Sequence, residues 1–215
     1  MADILQTPNP LLDQTGLPRF QLIEPPHVEP AITQLLEQLN TGFSALETEL
    51  ADIAHPSYSQ TVERLEAMRT PVEYAWGVVG HLIAVKNSDD LRTAHEAMQP
   101  LIIQAFQRLG QSKVYFDSLS KLKDGSEWDT LDQSQKRIVE SALRDMRLSG
   151  IGLPDEQREI FNKFTLEAAE LSTKFNNNVL DSTKAVTFVL TDKAEVDGLP
   201  ESALALAAQT ARSKG

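Results

Sequence analysis

Four histidines are the side chains best suited to catalysis or metal binding in this sequence: His27, His55, His81 and His95. His95 opens the stretch His-Glu-Ala-Met-Gln. A zinc-binding helix of the form His-Glu-x-x-His places two imidazoles one turn apart, so that both face one metal ion. Gln99 stands where the second histidine would be, and Pro100 follows it. An amide does not replace an imidazole as a zinc ligand, so we predict that His95 is a surface residue of a helix.

The remaining polar candidates also favour structural roles. His27 and His55 lie at predicted helix boundaries, where we expect polar end residues, and His81 lies in an apolar helix, where we expect a hydrogen-bonded core residue rather than a base. We interpret the carboxylate pairs Asp89–Asp90 and Glu47/Glu49 as helix-end and solvent-face residues. Glycine-rich phosphate loops, Gly-x-Ser-x-Gly and cysteine motifs do not occur. We therefore assign no catalytic, cofactor-binding or metal residue.

Five aromatic residues occupy positions of helical spacing, and we expect them in the core rather than stacked on a ligand: Tyr74, Trp76, Phe106, Tyr115 and Phe116. The helices that must position them begin with one from Pro30 to just before His55, with an apolar stripe on one face. The stripe consists of Ile32, Leu35, Leu36, Leu39, Phe43, Leu46, Leu50 and Ile53. A second helical stretch covers residues 59–85, and Pro71 predicts a kink or break within it.

Cap residues delimit the next helices. Ser88 and Ser112 are of the type that accepts a hydrogen bond at a helix N-terminus, so they predict helices starting at 89 and 113. A fifth helix begins near 130–132 and ends at Ser149–Gly150, where glycine suits a left-handed C-terminal position. The longest predicted helix covers 154–182, and a last one covers 200–212.

The helix predicted at 154–182 has a nearly heptad stripe, which favours packing along a neighbouring antiparallel helix. The stripe consists of Phe161, Phe164, Ala168, Leu171, Phe175 and Val179. Residues 185–190 form an apolar, β-branched segment without a partner strand elsewhere in the sequence. We therefore predict an all-α, multi-helix antiparallel bundle with one kinked buried helix and a short unpaired β segment near 185–190. The predicted division is an extended N-terminal arm (1–28), a helical domain (29–184), and a strand and helix (185–215).

Composition excludes several classes of function. The 215 residues carry a formal net charge of −11 and no cysteine, which argues against nucleic-acid partners, disulfides and thiolate metal sites. No apolar run approaches the ~20 residues of a membrane span, and the first residues lack the basic and apolar regions of a secretory signal. We expect a cytoplasmic protein with no membrane partner.

Several segments, taken in order along the chain, resemble the thimet oligopeptidase family of zinc metallopeptidases. The segments are Asn9-Pro10-Leu11-Leu12, the run from Pro26 to Ala31, Val85-Lys86-Asn87-Ser88, the run from Ala142 to Pro154, the run from Asn177 to Thr183, and the run from Leu199 to Leu204. The resemblance extends over essentially the whole chain but covers only the N-terminal third of such an enzyme.

The resemblance implies a helical part that forms one wall of a channel admitting short peptides. It implies zinc in the full enzyme, held by a His-Glu-x-x-His helix that this chain lacks, so we expect the chain alone to be inactive. The implied partners are short peptides and the C-terminal catalytic region of the same polypeptide. The alternative is a stand-alone helical module that binds peptides or proteins without catalysis. An unpaired apolar segment at 185–190 favours the first interpretation, because a self-sufficient protein should not leave it uncovered.

Overall fold

The computed structural model describes residues 8–214. Within them lie seven α-helices: α1 (Val28–Ala51), α2 (Arg64–Val85), α3 (Asp89–Gly110), α4 (Lys113–Lys123), α5 (Gln133–Leu148), α6 (Asp155–Ala185) and α7 (Glu201–Lys214). Four short 3-10 helices lie at Phe20–Leu22, Pro25–His27, Ser126–Thr130 and Lys193–Val196. No β-strand is present between residues 8 and 214. The predicted all-α bundle is confirmed.

The chain divides into two compact units, one up to Glu167 and one from Ala168 onward. The first unit is built around α1, which packs against α2, α3 and α4, while α5 packs against α4. The apolar stripe predicted for α1 is its buried face: Leu39 is 1% exposed and Phe43 is fully buried. Burial of this stripe against three neighbouring helices removes apolar surface from water, which stabilises the first unit.

Side chains cap the helices of the first unit where the sequence predicts them. Ser88 Oγ accepts a hydrogen bond from the backbone N–H of Leu91 (3.3 Å), and Ser112 Oγ accepts one from that of Tyr115 (3.2 Å). These bonds satisfy donors that have no partner within the helix. Both predicted N-caps are confirmed.

The end of α5 is closed by Gly150, whose φ is +88°. The N–H of Gly150 donates to the carbonyl of Arg147 (3.1 Å), and the N–H of Ile151 donates to that of Met146 (3.2 Å). This pair of bonds defines a Schellman motif, in which the left-handed residue is usually glycine because other residues are strained there. The predicted left-handed position at Gly150 is confirmed.

The second predicted helical stretch is continuous at Pro71, where a kink or a break was predicted, and irregular at its start. Helix α2 continues through Pro71 without a break, and the Pro71 carbonyl accepts a hydrogen bond from Gln14 Nε2 (2.7 Å). The irregularity lies earlier, in a π-helical turn at Ser59–Glu63 that leads into α2. A π-helical turn inserts an extra residue between hydrogen-bonded groups, and apolar periodicity does not report it.

The segment before α1 is attached to the first unit by buried side chains and polar contacts. Leu11 and Ile23 are 1% and 3% exposed. Asn9 Nδ2 donates to the carbonyl of His27 (2.8 Å), and the ring of Phe20 lies 5.1 Å from that of His81. Residues 1–7 of the predicted arm lie outside the described residues.

The second unit contains most of α6, the segment 186–200 and α7. The apolar stripe of α6 is exposed, with Phe164 63%, Leu171 58%, Phe175 68% and Val179 50% accessible. The prediction that this stripe packs along a neighbouring antiparallel helix is therefore wrong for the described chain. Its spacing indicates a face that requires a cover but does not identify that cover.

The β segment expected at 185–190 also needs correction. Helix α6 includes Ala185, and residues 186–190 have no regular secondary structure. A single extended segment is not stable as a strand without a partner. Phe188 and Val189 are 85% and 80% exposed, so this apolar segment is uncovered, as is the face of α6.

Candidate functional site

The four histidines do not converge. His55 and His81 are exposed, so the prediction of a core position for His81 is wrong. His27 is buried at the start of α1, and its Nδ1 accepts a hydrogen bond from the backbone N–H of Glu24 (3.0 Å). Among residues 8–214, no group of three or more histidine or carboxylate side chains is arranged to hold a metal ion.

His95 is half-buried rather than a surface residue. Its imidazole stacks on the indole of Trp76, with ring centroids 4.5 Å apart and planes inclined by 14°. Burial lowers the pKa of His95, because the protonated form loses more hydration than the neutral form, and the nearby Glu96 opposes this shift. The stack gives His95 a packing role.

Two of the carboxylates singled out in the sequence, Glu47 and Glu49, form contacts between helices. Glu47 accepts hydrogen bonds from Arg108 Nη2 (2.8 Å) and from Ser112 Oγ (2.6 Å), which joins α1, α3 and the start of α4. Glu49 is paired with Arg64. Both carboxylates therefore connect helices within the first unit.

A cleft of about 600 Å³ lies between helices α2, α3, α4 and α5 of the first unit. We call it the α2–α5 cleft. Its apolar walls come from Leu65, Phe106, Tyr115, Ile138 and Met146. A volume of this size lies within the range of about 300–1,000 Å³ typical of ligand sites.

Tyr115 is the most distinctive residue of the cleft. It is 4% exposed, and its ring packs edge-on against Phe43 with centroids 6.0 Å apart. No hydrogen bond joins its hydroxyl to another of residues 8–214, and this oxygen is not one of the enclosed, unpartnered side-chain atoms, which are the Tyr74 hydroxyl and Arg108 Nη1. Burial raises the pKa of Tyr115, and the carboxylate of Glu66 raises it further. The hydroxyl therefore remains a neutral group that can donate a hydrogen bond to a ligand.

Charged groups of both signs surround the apolar walls. Glu66, Arg69, Arg137 and Asp145 all line the cleft. Arg69 pairs with Glu66 (3.2 Å) and with Glu73 (2.6 Å), and its guanidinium lies 6.0 Å from the centre of the Phe106 ring. The cleft therefore combines an apolar floor with paired charges, which suits a ligand that has both apolar and polar parts.

Sequence reasoning missed this cleft, although it predicted the apolar face of α5. That face contains Ile138, Val139, Ala142, Leu143 and Met146. Val139 is fully buried, whereas Ile138 is 45% exposed and lines the cleft. The width of this apolar face is the sequence signal that could have indicated the cleft. A single neighbouring helix does not cover all five of these residues, so part of the face is left to line a cleft.

A second candidate surface lies within the second unit. We call Leu171, Phe175 and Val179 the α6 face, and each is at least half exposed. The apolar residues of 186–190 follow directly along the chain. Exposed apolar patches of this kind usually mark a contact with another protein surface.

The helical bundle is the N-terminal domain of a peptidase family. Residues 32–158 match the family model described as "Neurolysin/Thimet oligopeptidase, N-terminal domain", and this chain belongs to that family. The match includes the whole α2–α5 cleft, whose lining residues fall between 62 and 149. It ends within the first turn of α6, so the α6 face lies outside it.

Three relatives illustrate the similarity. A probable cytosolic oligopeptidase A of Arabidopsis thaliana is 41% identical over 96% of this chain, which is 29% of the relative. An organellar oligopeptidase A, described as chloroplastic/mitochondrial, from the same plant is 39% identical over 100% of this chain and 27% of its own length. Oligopeptidase A of Escherichia coli is 37% identical over 96% of this chain and 30% of its own length. The chain thus spans less than a third of the relatives it matches.

Proposed function

We propose that this chain is the N-terminal, channel-wall part of an oligopeptidase A-like zinc metallopeptidase that hydrolyses short peptides. The support is the similarity to oligopeptidase A relatives over 96–100% of this chain, which covers 27–30% of their lengths. In this proposal the described helices shape access to a reaction centre that the remaining polypeptide supplies. Peptides are the substrates, as the relatives' names indicate.

The residues present do not fit a zinc site. No three candidate ligands come together between residues 8 and 214, and Gln99 stands where a second histidine is needed. We assign zinc, which would act as Lewis acid and activate water when bound, to the remaining polypeptide. In this proposal, the chain alone does not hydrolyse peptides.

The exposed α6 face is the observation that carries the proposal. Leu171, Phe175 and Val179 stand in helical register but remain 50–68% accessible. The neighbouring segment 186–190 is equally uncovered. An independent domain would leave this apolar surface in water, whereas a part of a longer enzyme would cover it with the remaining polypeptide. We therefore propose that surface as the contact with the catalytic region.

The test supplies the missing part in trans. The chain is mixed with the portion of the Arabidopsis cytosolic relative that follows the matched segment, and cleavage of a quenched fluorescent peptide is measured with zinc. We expect chelator-sensitive cleavage by the mixture and none by the chain alone. We also expect the amides of 187–190 to exchange rapidly in the chain alone and more slowly in the mixture.

A matched pair of variants locates the contact. Phe175→Asp places a charge on the α6 face, whereas Asn176→Asp introduces the same side chain at the neighbouring exposed position. We expect the first to abolish complementation and the second to preserve it. Chelator-sensitive cleavage by the pure chain, or equal complementation by both variants, would contradict the proposal.

We extend the proposal to a cytoplasmic location, supported by the relative described as cytosolic. No helix between residues 8 and 214 has the length and apolar character needed to cross a bilayer. A second candidate function is a helical module that binds peptides or proteins without catalysis. The α2–α5 cleft favours it, because that cleft is formed entirely by residues of the first unit.

A further inference from the structure

The α2–α5 cleft has a property that a simple packing defect would lack. Its floor contains Tyr115, which is 4% exposed and has a hydroxyl without a hydrogen-bond partner among residues 8–214. The hydroxyl oxygen itself is not fully enclosed, because the buried unpartnered side-chain atoms among the described residues are the Tyr74 hydroxyl and Arg108 Nη1. Because Tyr115 lines an open cleft, its hydroxyl can donate a hydrogen bond to a bound ligand.

We propose that the α2–α5 cleft is a binding site for a short peptide, which inserts an apolar side chain between Phe106, Ile138 and Met146 and accepts a hydrogen bond from Tyr115. The choice of a peptide rests on the proposed function. The site is nevertheless defined by this chain alone, because every residue that lines it lies between 62 and 149.

The chemistry of the walls distinguishes a peptide from other apolar ligands. A fatty acid would require an apolar tunnel with cations at one end, whereas this cleft has carboxylates from Glu66 and Asp145 as well as guanidiniums from Arg69 and Arg137. A peptide presents an amine, a carboxylate and backbone amides beside its side chains, so both signs of charge find a counterpart. The net charge of −11 disfavours a nucleotide.

The arrangement also explains why Arg137 is available to a ligand. Arg69 is already paired with Glu66 and Glu73, but Arg137 forms no ion pair within residues 8–214. A peptide carboxylate accepts hydrogen bonds from a guanidinium in the same way as an aspartate does. We assign Arg137 as the residue that receives the peptide's C-terminus.

The test is a titration of the isotope-labelled 215-residue chain with the tetrapeptide Ala-Leu-Phe-Ala, followed by amide chemical shifts. Ala-Asn-Ser-Ala, which lacks the apolar side chains, is the comparison ligand. We expect the largest shifts at residues that line the cleft and at least tenfold weaker binding of the polar peptide. Ala-Leu-Phe-Ala with an acetylated N-terminus and an amidated C-terminus lacks both terminal charges. We expect this blocked peptide to bind several-fold more weakly, because it cannot pair with the charged residues of the cleft.

Two tyrosine variants provide a matched control. Tyr115→Phe and Tyr74→Phe each remove a phenolic hydroxyl. The Tyr74 hydroxyl is buried without a partner among the described residues, but Tyr74 does not line the cleft. We expect Tyr115→Phe to weaken peptide binding about 3- to 10-fold, the effect of one hydrogen bond. We expect Tyr74→Phe to bind as the unsubstituted chain does.

A third variant tests the apolar wall. Ile138 is 45% exposed, so Ile138→Asp should fold, which circular dichroism checks, and should reduce binding at least tenfold. Equal affinity for both tetrapeptides, equal effects of the two tyrosine variants, or shifts confined to the α6 face would overturn the inference. The complementation experiment does not involve these variants, so failure of the cleft and failure of the proposed enzyme are distinguishable.

Discussion

Helices α1 and α6 have similar patterns of apolar residues and opposite environments. In α1 the stripe is buried, and Phe43 is completely inaccessible to solvent. In α6 the stripe is exposed, and Phe175 retains 68% of its accessible surface. An amphipathic pattern thus indicates that one face of a helix is apolar, but it does not show whether that face is buried among the described residues.

The sharpest test of this contrast makes the same substitution in both helices. Phe43→Ala should lower the free energy of unfolding by about 3–5 kcal/mol, because a buried ring is lost and a cavity remains. Phe175→Ala should change it by less than about 0.5 kcal/mol, as an exposed position does. Denaturant unfolding of the two variants measures both values, and similar losses would show that α6 is buried in solution.

A smaller pair within α1 checks the assignment of its buried face. Leu39→Ala should cost about 2–5 kcal/mol, whereas the exposed neighbour Gln38→Ala should stay within about 0.5 kcal/mol. Equal effects would mean that the face of α1 is assigned incorrectly.

Two glycines with positive φ extend the comparison to the backbone. Gly150 (φ +88°) closes α5, and an added Cβ would lie 3.0 Å from Leu153 Cδ1, whereas Gly198 (φ +83°) has no neighbour within 4 Å. Gly150→Ala should lower the stability of the first unit by about 1–2 kcal/mol through left-handed strain. Gly198→Ala should leave the main unfolding transition unchanged. A comparable loss in both variants would show that the two units unfold together.

Serine hydroxyls provide a third comparison. Ser112 is buried, caps α4 and donates a hydrogen bond to Glu47 (2.6 Å). Ser112→Ala should therefore cost about 1 kcal/mol. Ser213 in α7 is exposed and donates only to the carbonyl of Thr210 (2.8 Å), so Ser213→Ala should have no measurable effect on the main transition. Thermal unfolding of both variants would reveal an unexpected contribution from α7.

The smallest expected effect is a pH dependence of the first unit. Because burial lowers the pKa of His95, the unfolded chain takes up a proton before the folded chain as pH falls below 6.5. Stability is therefore fully present above that pH and declines as pH falls through the folded pKa. The loss between pH 7.5 and 5.5, measured by urea unfolding, should be smaller in His95→Gln. His55→Gln, at an exposed position, should retain the loss seen in the unsubstituted chain.

Local chemistry predicted much of the first unit. The caps Ser88 and Ser112, the left-handed Gly150 and the stripe of α1 each depend on residues within a few positions of one another, which a sequence displays directly. The aromatic residue Tyr115 was also correctly expected in the core. Its unpaired hydroxyl could not be predicted, because it depends on where four helices leave a gap.

Helix α2 shows why the position of His81 was not predictable from apolar spacing. The exposed residues of this helix include Glu73, Gly77, Gly80, His81 and Ala84. Glycine and alanine are small but not polar. A solvent-facing side made of them does not stand out in a hydrophobicity pattern, because that pattern recognises an exposed side by its polar and charged residues. The exposure of the apolar face of α6 could not be predicted for a different reason. Burial of a helix face depends on the surfaces packed against it, which the sequence of the helix does not reveal.

The position of the buried residues, all within the part of the described chain that ends at Gly150, has a consequence for synthesis on the ribosome. Every buried residue among those described lies at or before Gly150. At translation rates of about 5–20 residues per second, the sequence for this core is made on the order of ten seconds after initiation. Domains emerging N-terminus first can fold as units, so the core can close while α6 is still being made. Any longer polypeptide of this type would then carry an uncovered apolar helix while the rest of its chain is synthesised.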